Sequence, residues 1–375
     1  MRDRRLVIHA GFHKSGTTAL QEAFDAQSDQ LRSAGILYPN IGRKAHHRIA
    51  WALTGRTWGW TKRGGEKTPR KEWDVFVKSA NKSKEETILI SSEFFSELDG
   101  DAIRTIFSEI KGRKVEVVFT VRPLVKLLAS SYQQYLKYGI KVDYNEWLHS
   151  VLDNPSKSKI SPTFWKRHHH GQVVARWTDV LGPNNVTVII VDETKPEFLF
   201  SSMNSYLGLP SGFLKSQETG SNRSLTMEEI ALLIELNRRF PEDREWDEYE
   251  VFIRGGYIRA LTDHVKPSPD SEKLLTPQWA IDKGNEIGTQ NCGLSFGNDL
   301  LRVTGLKAGL GHRLNLARLE INAETFGDLH RPGMRRNAHH GTLKEIQLFE
   351  VNAALFVGLA FAGKANGCAH RYAVV

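Results

Sequence analysis

Lys14 lies in a run of small and hydroxyl-bearing residues, Gly11-Phe-His-Lys-Ser-Gly-Thr-Thr18. These residue types can hold a phosphate-like anion. Glycine lets the backbone approach a ligand closely, serine and threonine offer hydroxyls, and lysine adds a full positive charge. Two further groups follow along the chain. Glu93 stands in Ser91-Ser-Glu-Phe94, and Arg122 stands eight positions before Ser130. A carboxylate serves as a base if partial burial raises its pKa. A guanidinium fork with a nearby hydroxyl suits a phosphate dianion. His13 and His47 are the other candidates for accepting a proton.

The elements needed to position these groups are legible around them. Leu6, Val7 and Ile8 form an apolar run suited to a strand buried on both faces. Thr17 and Thr18 can cap a helix with Leu20, Ala23, Phe24 and Leu31 on one face. Strand, small-residue loop and helix N-terminus together make an anion site, because free N–H groups and the helix dipole both favour negative charge. The pattern is not Walker A, in which lysine follows the second glycine; here Lys14 precedes Gly16. Residues 87–92 read as a second strand, with Glu93 at its C-terminal end. Residues 115–121 read as a third, closed by Arg122 and Pro123, and Pro123 suits the first turn of a helix running to about Tyr138. Residues 186–191 read as a fourth strand, 196–207 as a helix stopped by Gly208, and Ser224-Leu-Thr-Met-Glu-Glu as a helix start. Strands alternating with helices predict an α/β fold, a three-layer sandwich with a mainly parallel central sheet. Ligands then bind beyond the C-terminal strand ends, where Lys14, Glu93 and Arg122 all fall.

Lys-Ser-Gly-Thr-Thr after a first strand resembles the phosphosulfate-binding loop of sulfotransferases that use 3′-phosphoadenosine 5′-phosphosulfate (PAPS). The longer string, Gly-Phe-His-Lys-Ser-Gly-Thr-Thr-Ala-Leu-Gln, looks most like the bacterial branch of that family. The resemblance implies a P-loop-like fold in which Lys14, Ser15, Gly16, Thr17 and Thr18 hold the 5′-phosphosulfate. It implies that Arg122 and Ser130 hold the 3′-phosphate. It gives Lys14 a catalytic part as well, stabilising charge on the bridging oxygen as the sulfuryl group leaves. The base implied is Glu93, with His47 second and His13 third. The acceptor implied is a hydroxyl, or an amine, on a carbohydrate or glycolipid, and no metal is required. Motifs cover residues 1–240, and the expected domain is 1–285, leaving 286–375 as an extension of unknown role. Two other readings stand beside it: an atypical P-loop kinase using ATP–Mg, and a non-catalytic anion- or glycan-binding protein on the same scaffold. Asp192, after Val191, is the nearest approach to a Walker B aspartate.

Composition sets the frame. The 375 residues include 51 Lys and Arg against 43 Asp and Glu, a net charge of +8, which fits an anionic cofactor or acidic substrate. No nucleic-acid-binding module is present. Two cysteines, Cys292 and Cys368, make no disulfide framework. No apolar stretch reaches the roughly 18 residues of a membrane span, so a cytoplasmic protein is expected, with peripheral membrane contact only if the acceptor is a glycolipid. Residues 55–72, rich in Lys, Arg, Gly and Trp, read as a mobile loop that would face a glycan with Trp58 and Trp60. His46 and His47 open a helix. Lys166-Arg-His-His-His170 reads as a solvated basic loop rather than a metal site. An amphipathic helix is expected around 342–358.

Overall fold

Leu6, Val7 and Ile8 are completely buried in the middle strand of the main sheet. The computed structural model describes residues 4–41, 44–58, 62–153, 158–192, 194–195, 197–217 and 223–292. The expected helix around 342–358 lies outside them.

The chain opens with β1 (Arg5–His9), α1 (Thr17–Ala26), α2 (Ser28–Ser33), β2 (Ile36–Leu37) and α3 (His47–Thr54). A small hairpin, β3 (Thr57–Trp58) and β4 (Glu66–Lys67), precedes α4 (Lys71–Lys82) and β5 (Thr87–Ser91). A 3-10 turn, Glu93–Glu97, leads to α5 (Gly100–Glu109), β6 (Lys114–Val121) and α6 (Leu124–Leu136). Then come α7 (Tyr144–Leu152), α8 (Phe164–His168), α9 (His170–Leu181), β7 (Val186–Ile190) and α10 (Phe198–Leu207). The described chain closes with α11 (Met227–Arg239), α12 (Trp246–Tyr249), a π-helical segment Glu250–Ile258, α13 (Arg259–His264) and α14 (Gln278–Cys292).

The five strands of the main sheet run parallel in the order β2-β5-β1-β6-β7. Side chains alternate across it, as a period of two requires. Leu6, Ile8, Ile90, Val117 and Phe119 face α3, α4, α5 and α9, while Val7, Leu89, Val118 and Ile189 face α1 and α10. The fold is therefore the α/β three-layer arrangement with a parallel central sheet. Each buried Leu, Val or Phe contributes roughly 1.5–3 kcal/mol, which a strand covered on both faces collects along its whole length.

A second block of helices packs on α6. Leu128 and Tyr132 meet Trp147, Phe164, Leu233, Trp246, Tyr249 and Ala280 in one buried cluster. Gly284 of α14 fits so closely that an added Cβ would sit 2.9 Å from Val125 Cγ1. Position 285 falls inside α14.

The helix starts and stops follow their sequence signals. Thr226 and Glu229 form a reciprocal capping box on α11, and α10 ends at Gly208 with φ 75°. Pro123 is the N-cap of α6 rather than part of its first turn. Two expectations change more. Within 55–72 the described residues include a short hairpin: β3 pairs with β4, and Arg63 donates from Nε to Arg244 O and from Nη2 to Pro241 O, both at 2.6 Å. The Trp58 side chain and Trp60 lie outside the described residues. Lys166–His170 is not a solvated loop. Phe164, Val173, Val174 and Trp177 draw α8 and α9 into the interior, so His168 is buried between Phe164 and Ser131.

Candidate active site

The loop after β1 is sewn to β6 before it turns. Ala10 N–H donates to Val118 O at 3.0 Å, Phe12 N–H donates to Thr120 O at 2.7 Å, and Thr120 N–H donates to Gly11 O. Beneath it, His9 joins three adjacent strands, with Nδ1 2.7 Å from Ser91 Oγ and Nε2 3.2 Å from Thr120 Oγ1. Burial pushes the His9 pKa down to about 4, so the ring is a neutral structural link at ordinary pH. The chain then turns through left-handed backbone at Lys14 (φ 64°) and Gly16 (φ 86°). A Cβ at Gly16 would lie 2.6 Å from Leu199 Cδ2, so both conformation and space call for glycine.

α1 begins at Thr17 with Gly16 as N-cap and no side-chain cap. The first four N–H groups of a helix have no intrahelical acceptor, so these amides and the dipole are open to an anion. Thr17 is buried and Thr18 exposed. The Ser15 hydroxyl points into the loop, donating to Phe12 O at 2.6 Å and lying 2.7 Å from Thr120 Oγ1. The Ser15 N–H also donates to Phe12 O, at 3.4 Å, so both Ser15 donors are engaged inside the loop.

Cations gather over this turn. Lys14 Nζ donates to Gln134 Oε1 of α6 at 3.1 Å. Burial, with the charges of Lys137 and Arg167, pushes the Lys14 pKa down to about 8, against an opposing pull from Glu93. Lys137 is also lowered, by burial and then by Arg254 and Arg223. An anion placed here would relieve both lysines. Arg122, at the end of β6, donates from Nη1 to Lys14 O at 2.9 Å and so braces the loop. Ser130 donates to Leu127 O at 3.0 Å within its own helix. It sits one turn before Gln134, on the α6 face that meets Lys14.

The neighbouring strand end brings the acid–base groups. A Cβ at Gly11 would lie 2.8 Å from Glu93 Cα, so the loop and the turn after β5 are in direct contact. Glu93 accepts from Gln21 Nε2 at 3.2 Å, and its Oε2 is 3.9 Å from His47 Nδ1. That nitrogen is also 2.8 Å from Ser92 Oγ. Burial alone would raise the Glu93 carboxyl, but His47 and His13 overcome it and hold it below the usual carboxylate range. His13 is turned elsewhere, with Nε2 3.1 Å from Glu97 Oε1. Glu97 also pairs with Arg167 Nε at 2.8 Å and Lys166 Nζ at 3.2 Å. Burial opposes ionisation of Glu97; Arg167, His13 and Lys166 outweigh it, and its pKa is held far down.

The structure thus brings Lys14, Arg122, Glu93 and His47 around one loop. It places His46 apart from them: His46 Nδ1 accepts Ser91 N–H at 3.0 Å and Nε2 lies 2.8 Å from Pro39 O, a buried structural histidine. Gln134, Gln21 and the Glu97–Arg167 pair were not singled out in the sequence, and no local spacing marks them. Asp192 accepts from Thr194 N–H at 3.0 Å and Thr194 Oγ1 at 2.6 Å, so it serves its own turn. Among the described residues no group of three or more His, Cys, Asp or Glu is arranged to hold a metal ion, and no helix is long and apolar enough to cross a membrane.

No protein-family model matches the chain, and no curated protein matches it. Among solved structures it is similar to the crystal structure of a sulfotransferase from Alicyclobacillus acidocaldarius, with 16% sequence identity and a TM-score of 0.42 over 66% of this chain and 99% of that one.

Proposed function

We propose that the chain is a sulfotransferase that moves the sulfuryl group of PAPS to a hydroxyl, or an amine, of a carbohydrate or glycolipid acceptor. The observation that carries this reading is the turn itself. An uncapped helix N-terminus, two left-handed residues and a desolvated lysine surround one point, with Arg122 and the Ser130 face of α6 beside it. These residues fit a phosphosulfate. A Cβ at Gly16 would crowd the turn, and Lys14, whose charge is disfavoured by burial, gains from an anion.

PAPS supplies the activated sulfuryl group when bound. Lys14 and the Gly16–Thr18 amides balance negative charge at the turn, and Lys14 stabilises the charge that develops on the leaving oxygen. Arg122 and Ser130 take the 3′-phosphate at the non-reacting end. His47 accepts the acceptor's proton at Nε2, with its Nδ1 side directed at Ser92 and Glu93, which fix the ring. Glu93, held ionised below the usual carboxylate range, is the natural orienting group.

Calorimetry with 3′,5′-adenosine bisphosphate in EDTA, beside ATP with Mg²⁺, tests the reading. Metal-free binding of the bisphosphate that exceeds ATP–Mg binding is expected. Preference for ATP–Mg overturns it in favour of a kinase, and binding of neither overturns it in favour of a scaffold without the nucleotide.

A further inference from the structure

Arg167 of α8 brings a guanidinium between α6 and the turn after β5. Its Cζ lies 5.7 Å from the centre of the Phe94 ring and 5.9 Å from that of Tyr135. Phe94 follows Glu93, and the same ring meets His47 edge-on at 5.1 Å and His13 at 5.0 Å. Tyr135 follows Gln134, which holds Lys14. Arg167 therefore stands against the two walls that carry Lys14 and His47. Its charge is felt at the loop: burial and Lys137, then Arg167, disfavour the charged form of Lys14.

The two edges of this guanidinium are used differently. Nε donates to Glu97 Oε1 at 2.8 Å. Neither Nη donates to a described residue, and neither is sealed from solvent. The side chain as a whole is only 13% exposed, so the opening onto that edge is small. Glu97 is also shared. His13 Nε2 lies 3.1 Å from Oε1, and Lys166 Nζ lies 3.2 Å from Oε2. Two cations on one carboxylate leave a positive charge over, and like charge beside Lys14 is unfavourable until an anion comes between. A guanidinium carries five donors in a fixed plane, so Glu97 can hold one edge while the other meets a second set of oxygens. A lysine ammonium, a single point of charge, cannot do both in that geometry.

We propose that Arg167 is a further catalytic residue, whose Nη edge donates to the oxygens of the sulfuryl group, and that Glu97 is the positioning residue that holds its Nε edge. The inference rests on the sulfotransferase reading and adds a second cation, on the group in transfer itself. Lys14 serves the leaving oxygen, whereas Arg167 turns the sulfur towards the side of the loop where His47 waits. Arg167 exchanges no proton. The S–O bond to the nucleotide's phosphate breaks with its electron pair left on that oxygen, the acceptor's oxygen or nitrogen bonds to sulfur, and the acceptor's proton goes to His47.

The test is calorimetry on the full chain without acceptor, with PAPS and with 3′,5′-adenosine bisphosphate, which differ only by the sulfuryl group. Arg167→Lys keeps a cation for Glu97 and lacks the second edge; Arg167→Met removes the charge. In each, PAPS affinity is expected to fall at least about tenfold, as for a lost hydrogen bond to a charged group, with bisphosphate affinity unchanged. The unchanged bisphosphate affinity also reports an intact fold, and Arg167→Lys keeps the test open if Arg167→Met does not fold. Glu97→Gln lowers PAPS affinity in the same direction and by less, again with bisphosphate affinity kept. Unchanged PAPS affinity in Arg167→Lys overturns the inference. An equal fall for both nucleotides overturns it as well, since Arg167 would then serve the fold or the nucleotide and not the sulfuryl group. The two readings fail separately. Absent binding of both nucleotides by the wild-type chain removes the sulfotransferase reading, and an unchanged ratio of PAPS to bisphosphate affinity beside intact wild-type binding removes this one alone.

Discussion

Gly11 and Glu93 touch backbone to backbone: a Cβ on Gly11 would lie 2.8 Å from both Cα and Cβ of Glu93. The loop after β1 and the turn after β5 therefore share one contact with no room for a side chain. Gly11→Ala also strains a φ of +88°, at a cost of roughly 1–3 kcal/mol. The displaced Glu93 should lower turnover at least about tenfold. Gly16→Ala differs, because its obstacle is the tip of Leu199; adding Leu199→Ala should recover part of the loss. Unchanged turnover in Gly11→Ala, measured beside thermal unfolding, would show that the contact does not position Glu93.

Lys14 should make nucleotide binding pH-dependent. Its pKa in the ligand-free protein is about 8, and a bound phosphate raises it, so binding takes up a proton. Affinity for the bisphosphate should be flat just below pH 8 and fall as pH rises above it. Lys14→Ala should abolish transfer and flatten this dependence, and calorimetry across the range checks both. Arg122→Ala should weaken affinity more than saturated turnover; because Arg122 also braces Lys14 O, some turnover should be lost too.

In the proposed reaction His47 takes the acceptor's proton and Glu93 orients it. His47→Ala should reduce saturated turnover by roughly 10²–10⁴, with bisphosphate affinity kept. Glu93→Gln should cost less, since Ser92 still contacts His47 Nδ1. A larger loss in Glu93→Gln than in His47→Ala would reverse the two roles.

Acid should weaken the fold through buried histidines. His9 and His46 are pushed down to about 4 and His170 to about 3, chiefly by burial. In the unfolded chain each titrates near 6.5. Below that pH the unfolded state binds protons that the folded state refuses, so stability declines from about pH 6.5 towards 4. Denaturant midpoints at neutral pH and at pH 4.5 should differ clearly, and equal midpoints would contradict the buried neutral rings.

The first strand, loop and helix were legible because their residues are consecutive and each step has its own local signal. Arg122 and Glu93 were legible as strand-end residues. Gln134 and Arg167 were not, because their partners lie 120 and 70 positions away, and an isolated glutamine or arginine carries no periodic mark. Lys166–His170 misled for a related reason. Its own composition is basic, while its burial is decided by Phe164 and Trp177 on either side. Ser15 read correctly as a loop residue, but only the fold reveals that Thr120 claims its hydroxyl.

The clasp of Gly284 against Val125 has a bearing on when the protein becomes competent. Lys14 leaves the ribosome early, yet the helix that supplies Gln134 is backed by Ala280 and Ile287. At about 5–20 residues per second the interval between these segments is roughly ten to fifty seconds of synthesis. Through that interval the nascent chain carries the Lys14 loop without the helix that backs its α6 wall.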